Sequence, residues 1–152
     1  MNKTSNPFEE LLVGLVKSGI DFITVGGIAC ALNGYVRATE DVDILVKRDP
    51  ANIGKLLRFL SGYGEGFGME LSEKDFTDEE GAVRVIEEFP IDIFVVMGGN
   101  HYGDLQKFVR TVEIEGSAIP YLDRDGLIEL KKGSVREKDR LDVFHLAGLD
   151  RK

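Results

Sequence analysis

The sequence predicts an α/β domain with a mixed central sheet flanked by helices, and three observations carry that expectation. Short β-branched runs alternate with amphipathic segments in the first half of the chain, the pattern of strands crossed over by helices. In the second half the strand-like runs come in pairs separated by turn residues, the pattern of antiparallel hairpins. The composition, 43% hydrophobic, 30% charged and 9% aromatic, supplies enough apolar material for a packed core. A length of 152 residues fits one domain, residues 1–152, and neither an internal repeat nor a Pro- or Ser-rich linker divides it.

Residues 7–17 read as a helix, with Pro7 in its first turn, Glu9 and Glu10 behind it, and Phe8, Leu11, Leu12, Leu15 and Val16 at helical spacing. Gly19 ends it. Residues 21–25 read as a buried strand that stops at Gly26-Gly27, and residues 28–33 resume as a short helix. Residues 41–46, Asp-Val-Asp-Ile-Leu-Val, form the second strand, and Asp49-Pro50 starts a helix over 50–60. Runs 83–87 and 91–97 flank Phe89-Pro90 and predict a hairpin, the second of them a central strand buried on both faces. Residues 102–110 are amphipathic and predict a helix. Short strands at 111–115 and 118–121 flank Gly116, Asp123 caps a helix to Lys132, and a last helix covers 135–147. Residues 61–68, with glycine at every second position, and the acidic run 70–81 read as a flexible surface connection.

Several function classes are excluded at this level. Nineteen Lys and Arg against 27 Asp and Glu leave a net charge of −8 and a pI near 4.8, the wrong balance for broad nucleic-acid binding by this domain alone. The longest nearly apolar run, 22–32, is shorter than the ~18–20 residues of a membrane span, so no membrane association is expected. No basic start followed by an apolar stretch marks a signal peptide. The one cysteine, Cys30, cannot form an internal disulfide, and a cytoplasmic location follows. Cys30 reads as an inert core residue, and His101 and His145 lack zinc-ligand spacing. Glycine is abundant, 18 residues against an average near ~7% of a chain, so its positions matter.

The chemistry-bearing residues lie at strand ends. Val25-Gly26-Gly27 followed by Ile28-Ala29 places free N–H groups where a phosphate could approach a backbone without Cβ atoms; a tight strand–helix turn explains the pair as well. Neither G-x-x-x-x-G-K-[ST] nor G-x-G-x-x-G occurs. Asp41 and Asp43 sit at i and i+2 of a strand, on one face and ~6.6 Å apart, while Val42, Ile44 and Val46 alternate with them. Two like charges side by side repel unless a cation lies between them, and oxygen-only donors suit Mg²⁺ or Mn²⁺. Asp92, between Ile91 and Ile93, needs either a cation or a solvent-exposed strand start. Glu87 and Glu88, ahead of Pro90, are candidates to extend the acidic site or are exposed strand positions.

Taken together, Gly-Gly, Asp-x-Asp on a strand and an isolated Asp on a later strand resemble the nucleotidyltransferase superfamily of the DNA polymerase β type. The stretch Arg37-Ala38-Thr39-Glu40-Asp41-Val42-Asp43 looks like the R-x-T-x-D-[ILV]-D form of small lincosamide- and aminoglycoside-modifying nucleotidyltransferases and of abortive-infection-type toxins. Leu127-Ile128-Glu129-Leu130-Lys131, then Arg136-Glu137-Lys138-Asp139-Arg140-Leu141-Asp142, is similar to the closing L-I-x-x-K…R-x-K-D-x-x-D pattern. The resemblance runs from about residue 21 to 146 but not through 48–81, and Gly27 stands where many members carry serine.

The resemblance implies metal-dependent transfer of a nucleoside monophosphate from an NTP, such as ATP, to a hydroxyl acceptor. Asp41 and Asp43 would hold two Mg²⁺ (or Mn²⁺) ions ~3.5–4 Å apart, and Asp92 would bind the metal that holds the acceptor. Gly26 and Gly27 would steady the triphosphate, with Arg37, Thr39, Lys131 and Lys138 as further nucleotide-binding residues. Lys138 also fits a solvated helix face, and Asp139 and Asp142 fit a role in holding that helix. A small, even cationic, acceptor suits an acidic protein. Two other readings stay open: a toxin acting on tRNA or protein, whose basic groove a partner would supply, and a non-catalytic nucleotide-binding module. A second copy of the chain or an antitoxin is the expected protein partner. Acceptor specificity is expected from loops 61–81 and 98–102.

Overall fold

The computed structural model describes residues 6–35 and 39–132. Arg37, Lys138, His145 and the expected helix over 135–147 lie outside these residues. Helix α1 (Pro7–Lys17) begins where Asn6 accepts a hydrogen bond from the Phe8 N–H at 2.8 Å, with Pro7 in the first turn. It ends in paired bonds, Gly19 N–H to Val16 and Ile20 N–H to Leu15, the Schellman arrangement that a left-handed glycine permits. Strand β1 (Phe22–Val25) runs directly into α2 (Gly26–Leu32), so the helix starts at the glycine pair itself, two residues earlier than the apolar spacing suggests.

Strand β2 (Val42–Val46) leads to α3 (Pro50–Ser61), whose first turn is capped by Asp49 through the Asn52 N–H. Asn52 is buried and fully engaged: it accepts from Asp21 N–H at 2.7 Å and donates to the Asp21 and Lys47 carbonyls. One side chain thus ties the start of α3 to the adjoining ends of β1 and β2. Strands β3 (Ala82–Ile86) and β4 (Pro90–Phe94) form the expected hairpin, with Pro90 at a strand start, where a missing N–H costs least. Strands β5 (Val109–Ile114) and β6 (Ser117–Leu122) pair around Glu115-Gly116, both left-handed, as a tight two-residue turn requires. Helix α4 (Arg124–Lys131) follows, capped by Asp123 through the Gly126 N–H.

The six strands lie in the order β3-β4-β2-β1-β6-β5. β2 with β4 and β1 with β6 are parallel; the other neighbours are antiparallel. This is the mixed sheet expected, but β4 is not central: it is an interior strand next to the edge strand β3. Strand alternation sorts the side chains into two cores. On one face Val42, Ile44, Val46, Ile91 and Ile93 meet Leu11, Leu12 and Leu15 of α1 and Ile53, Leu56 and Leu60 of α3. On the other, Ile23, Val25 and Leu45 meet Ala29 and Cys30 of α2 and Leu127 and Leu130 of α4. Each fully buried Leu or Ile is worth roughly 1.5–3 kcal/mol, so both helix layers are held mainly by this burial. Cys30 is buried there, as expected.

Two expectations need correction. Residues 102–110 are not one helix: Tyr102–Phe108 is a 3-10 segment that buries Leu105, and Val109 already opens β5 by pairing with Leu122. The stretch 61–81 is a structured cover. It contains 3-10 turns at Phe67–Glu70 and Glu73–Asp75, buries Phe76, and is fastened where Arg48 donates to the Phe76 carbonyl at 2.9 Å. Among the described residues no helix is long and apolar enough to cross a membrane.

Candidate functional site

The site forms where strand ends meet. β2 and β4 are parallel with Asp43 beside Asp92, and β1 is antiparallel to β2 with Val25 beside Asp43. β3 adds Arg84 beside Asp92. Arg84, Asp92, Asp43 and Val25 therefore make one row across four adjacent strands, and Gly26 follows immediately at its end. Because Val42, Ile44, Ile91 and Ile93 face the α1–α3 core, alternation turns Asp43 and Asp92 to the opposite face. Asp41 precedes β2 with the same parity.

One carboxylate oxygen from each of Asp41, Asp43 and Asp92 lies within 4.8 Å of the other two. Asp92 is the most enclosed, while Asp41 and Asp43 are half-buried. Gathering three such charges is unfavourable without a cation, and the donor set is oxygen only, which fits Mg²⁺ or Mn²⁺.

Gly26 and Gly27 belong to the same place. Gly26 has a left-handed φ of 70°, and a Cβ there would collide with the Asp43 carboxylate. A Cβ on Gly27 would come within 2.7 Å of Thr39 Oγ1. The glycine pair is thus what lets the Asp43 carboxylate and the Thr39 hydroxyl lie against the start of α2. The structure brings together Gly26, Gly27, Thr39, Asp41, Asp43 and Asp92. Lys131 sits in the last turn of α4.

The residue that sequence reasoning missed is Arg84. Its Nε donates to Asp92 Oδ1 at 2.7 Å and its terminal nitrogen to Oδ2 at 2.8 Å, a two-pronged pair. The same terminal nitrogen is 3.6 Å from Asp41 Oδ2. The hydrogen bond and charge of Asp92, then the charges of Asp41 and Asp43, push the guanidinium's pKa above its ordinary value. The expected hairpin held a signal for it, since closing that hairpin about residue 88 sets position 84 against 92. Glu87, by contrast, does not extend the acidic site: its carboxylate accepts the Glu65 and Phe67 N–H groups at 2.8 and 2.9 Å. Glu80 does the same for Gly98 and Gly99, and the His101 ring pairs with Asp78 at 2.5 Å, so residues 98–101 are fastened to 78–80.

No family model matches the chain, and no curated protein sequence matches it. Solved structures do. TM1012 of Thermotoga maritima, described as a putative nucleotidyltransferase, superposes with a TM-score of 0.58 at 19% identity, over 96% of this chain and 92% of that one. An antigenic nucleotidyltransferase-like protein of Paracoccidioides brasiliensis superposes with a TM-score of 0.55 at 22% identity, over 94% of this chain and 74% of that one. At such identities the likeness speaks for architecture rather than activity. The chain has the nucleotidyltransferase-like fold.

Proposed function

We propose that the protein is a metal-dependent nucleotidyltransferase that moves a nucleoside monophosphate from an NTP to a hydroxyl group, a small molecule being the favoured acceptor. The observation that carries this reading is the meeting of Asp41, Asp43 and Asp92 within 4.8 Å at strand ends of a nucleotidyltransferase-like fold. Asp41, Asp43 and Asp92 would hold Mg²⁺ or Mn²⁺, which when bound supplies Lewis acidity and neutralises phosphate charge. The chain's own part is placement. Asp92, enclosed beside Asp43, is set to orient the acceptor hydroxyl and draw on its proton. Gly26 and Gly27 would steady the triphosphate through backbone N–H groups at the start of α2, where the Asp43 carboxylate and the Thr39 hydroxyl already lie close. Arg37, Lys131 and Lys138 complete the proposed nucleotide-binding set, and segments 61–81 and 98–102 border the acceptor. We place the activity in one cytoplasmic domain, with a second copy or an antitoxin as its candidate protein partner.

The test is calorimetry with ATP, GTP, CTP and UTP, with and without Mg²⁺, followed by incubation with labelled nucleotide and a cell extract. Metal-dependent binding and transfer of label to one fraction is the expected result, with both lost in the Asp41→Asn, Asp43→Asn double variant. If none of the four nucleotides binds and that variant changes nothing, the enzyme reading is wrong.

A further inference from the structure

Asp92 and Arg84 do not depend on each other equally. The Asp92 side chain is only 10% exposed, whereas that of Arg84 is 51% exposed. Removing the guanidinium strands a nearly buried carboxylate beside two others; removing the carboxylate merely returns a half-exposed guanidinium to water. Asp92 therefore always requires a cation, and Arg84 is free to be the one that leaves. Its place is nevertheless fixed by the sheet. Val83 and Val85 pack toward the opposite core, so alternation directs Arg84 across the hairpin at Asp92. From there it engages both oxygens of Asp92 and comes within 3.6 Å of Asp41.

We propose that Arg84 is a resident counter-ion that competes with the divalent cation for Asp92 and Asp41. The site closes on its own arginine when metal is scarce, and metal entry displaces the guanidinium toward solvent. This rests on the carboxylate cluster being the metal site named above. A divalent ion on an Asp92 oxygen would lie beside the guanidinium, and two cations so close repel one another. Metal binding is thereby set against a two-pronged, charge-assisted pair. The protein gains a built-in threshold for metal: it keeps Asp92 and Asp41 paired in the free state, at the expense of affinity in the loaded one.

Mn²⁺ alone is the probe for the test. Its binding is measured by electron paramagnetic resonance and calorimetry on the wild-type chain, Arg84→Met and Arg84→Lys. Arg84→Met is expected to bind Mn²⁺ on the order of ten-fold tighter than wild type, given the usual strength of hydrogen bonds to charged groups and the partial exposure of this pair. Arg84→Lys, which keeps the charge but not the fork, is expected between the two. In the wild-type chain the Arg84 Nε–H should be protected from exchange in EDTA and lose that protection in saturating Mg²⁺. If wild type binds Mn²⁺ and Arg84→Met binds it no more tightly, the competition is refuted while the metal site stands. An Nε–H signal unmoved by Mg²⁺ refutes it as well, without recourse to a variant. If neither protein binds Mn²⁺, the metal-site reading itself falls and the competition falls with it.

Discussion

At position 27, where the resembled family commonly carries serine, an added Cβ would lie 2.7 Å from Thr39 Oγ1, so a serine there would have to displace the Thr39 hydroxyl. The two positions should therefore be coupled. Gly27→Ser alone is expected to weaken metal-dependent nucleotide binding, and adding Thr39→Ala should recover part of it. Calorimetry over the full double-mutant cycle measures that coupling, and strictly additive effects would contradict it. Gly26 is more restricted, since Gly26→Ala adds both a left-handed alanine, costing about 1–2 kcal/mol, and a clash with the Asp43 carboxylate. It should lower stability to urea by at least that amount and reduce Mn²⁺ affinity. A third residue responds to pH. Hydrogen bonding to Asp78 raises the His101 pKa above its ordinary 6.5, and the same bond lowers Asp78 below its ordinary 3.8. The raised histidine contributes fully below about pH 6.5 and loses its contribution as pH climbs through its folded value. The lowered aspartate contributes above about pH 3.8 and loses it as pH falls through its folded value. The tie between residues 98–101 and 78–80 should be firmest between those limits. An NMR titration of the His101 ring should give a pKa above 6.5 that drops in Asp78→Asn; an unchanged value in that variant would remove the pair from the account.

Elements show why some features could be read from the chain and others could not. Asp41, Asp43 and Asp92 stood out because a charge inside an apolar alternation is visible locally. Arg84 did not, since an arginine on a strand with one exposed face is unremarkable until antiparallel register sets it opposite Asp92. Residues 102–110 misled for a related reason. Their amphipathic spacing is real and buries Leu105, but pairing of Val109 with Leu122 extends β5 backward at the expense of a helix. The acidic run 70–81 hid its buried anchor, Phe76, among charges. The junction at α3 is the element-scale feature most open to test. Asn52 satisfies one N–H and two carbonyls at the ends of β1 and β2, so Asn52→Ala leaves three backbone groups without that partner. A loss of about 2–3 kcal/mol in urea denaturation is expected, and a loss below 1 kcal/mol would mean that water replaces the side chain at little cost.

At the scale of the whole molecule, the six-strand order does what no local segment can: it sets Arg84, Asp92, Asp43 and Val25 in a row from four strands, separated in the chain by up to 67 positions. The acidic balance, −8 over the chain, bears on how the proposed NTP substrate would be received there. A triphosphate is itself strongly negative, so both the overall field and the three carboxylates repel it when no divalent cation is present. On the proposed reading the phosphates are drawn in mainly with metal, and this makes a sign prediction for salt. Without Mg²⁺, residual NTP binding should strengthen as ionic strength rises, because screening weakens repulsion between like charges. With Mg²⁺ present, affinity should be at least about ten-fold higher and should weaken as salt screens the metal–phosphate attraction. Calorimetry in EDTA and in Mg²⁺ across a salt series tests both limbs. Equal affinities in the two buffers, or the same direction of salt dependence in both, would mean that the nucleotide is held by basic side chains rather than at the carboxylates.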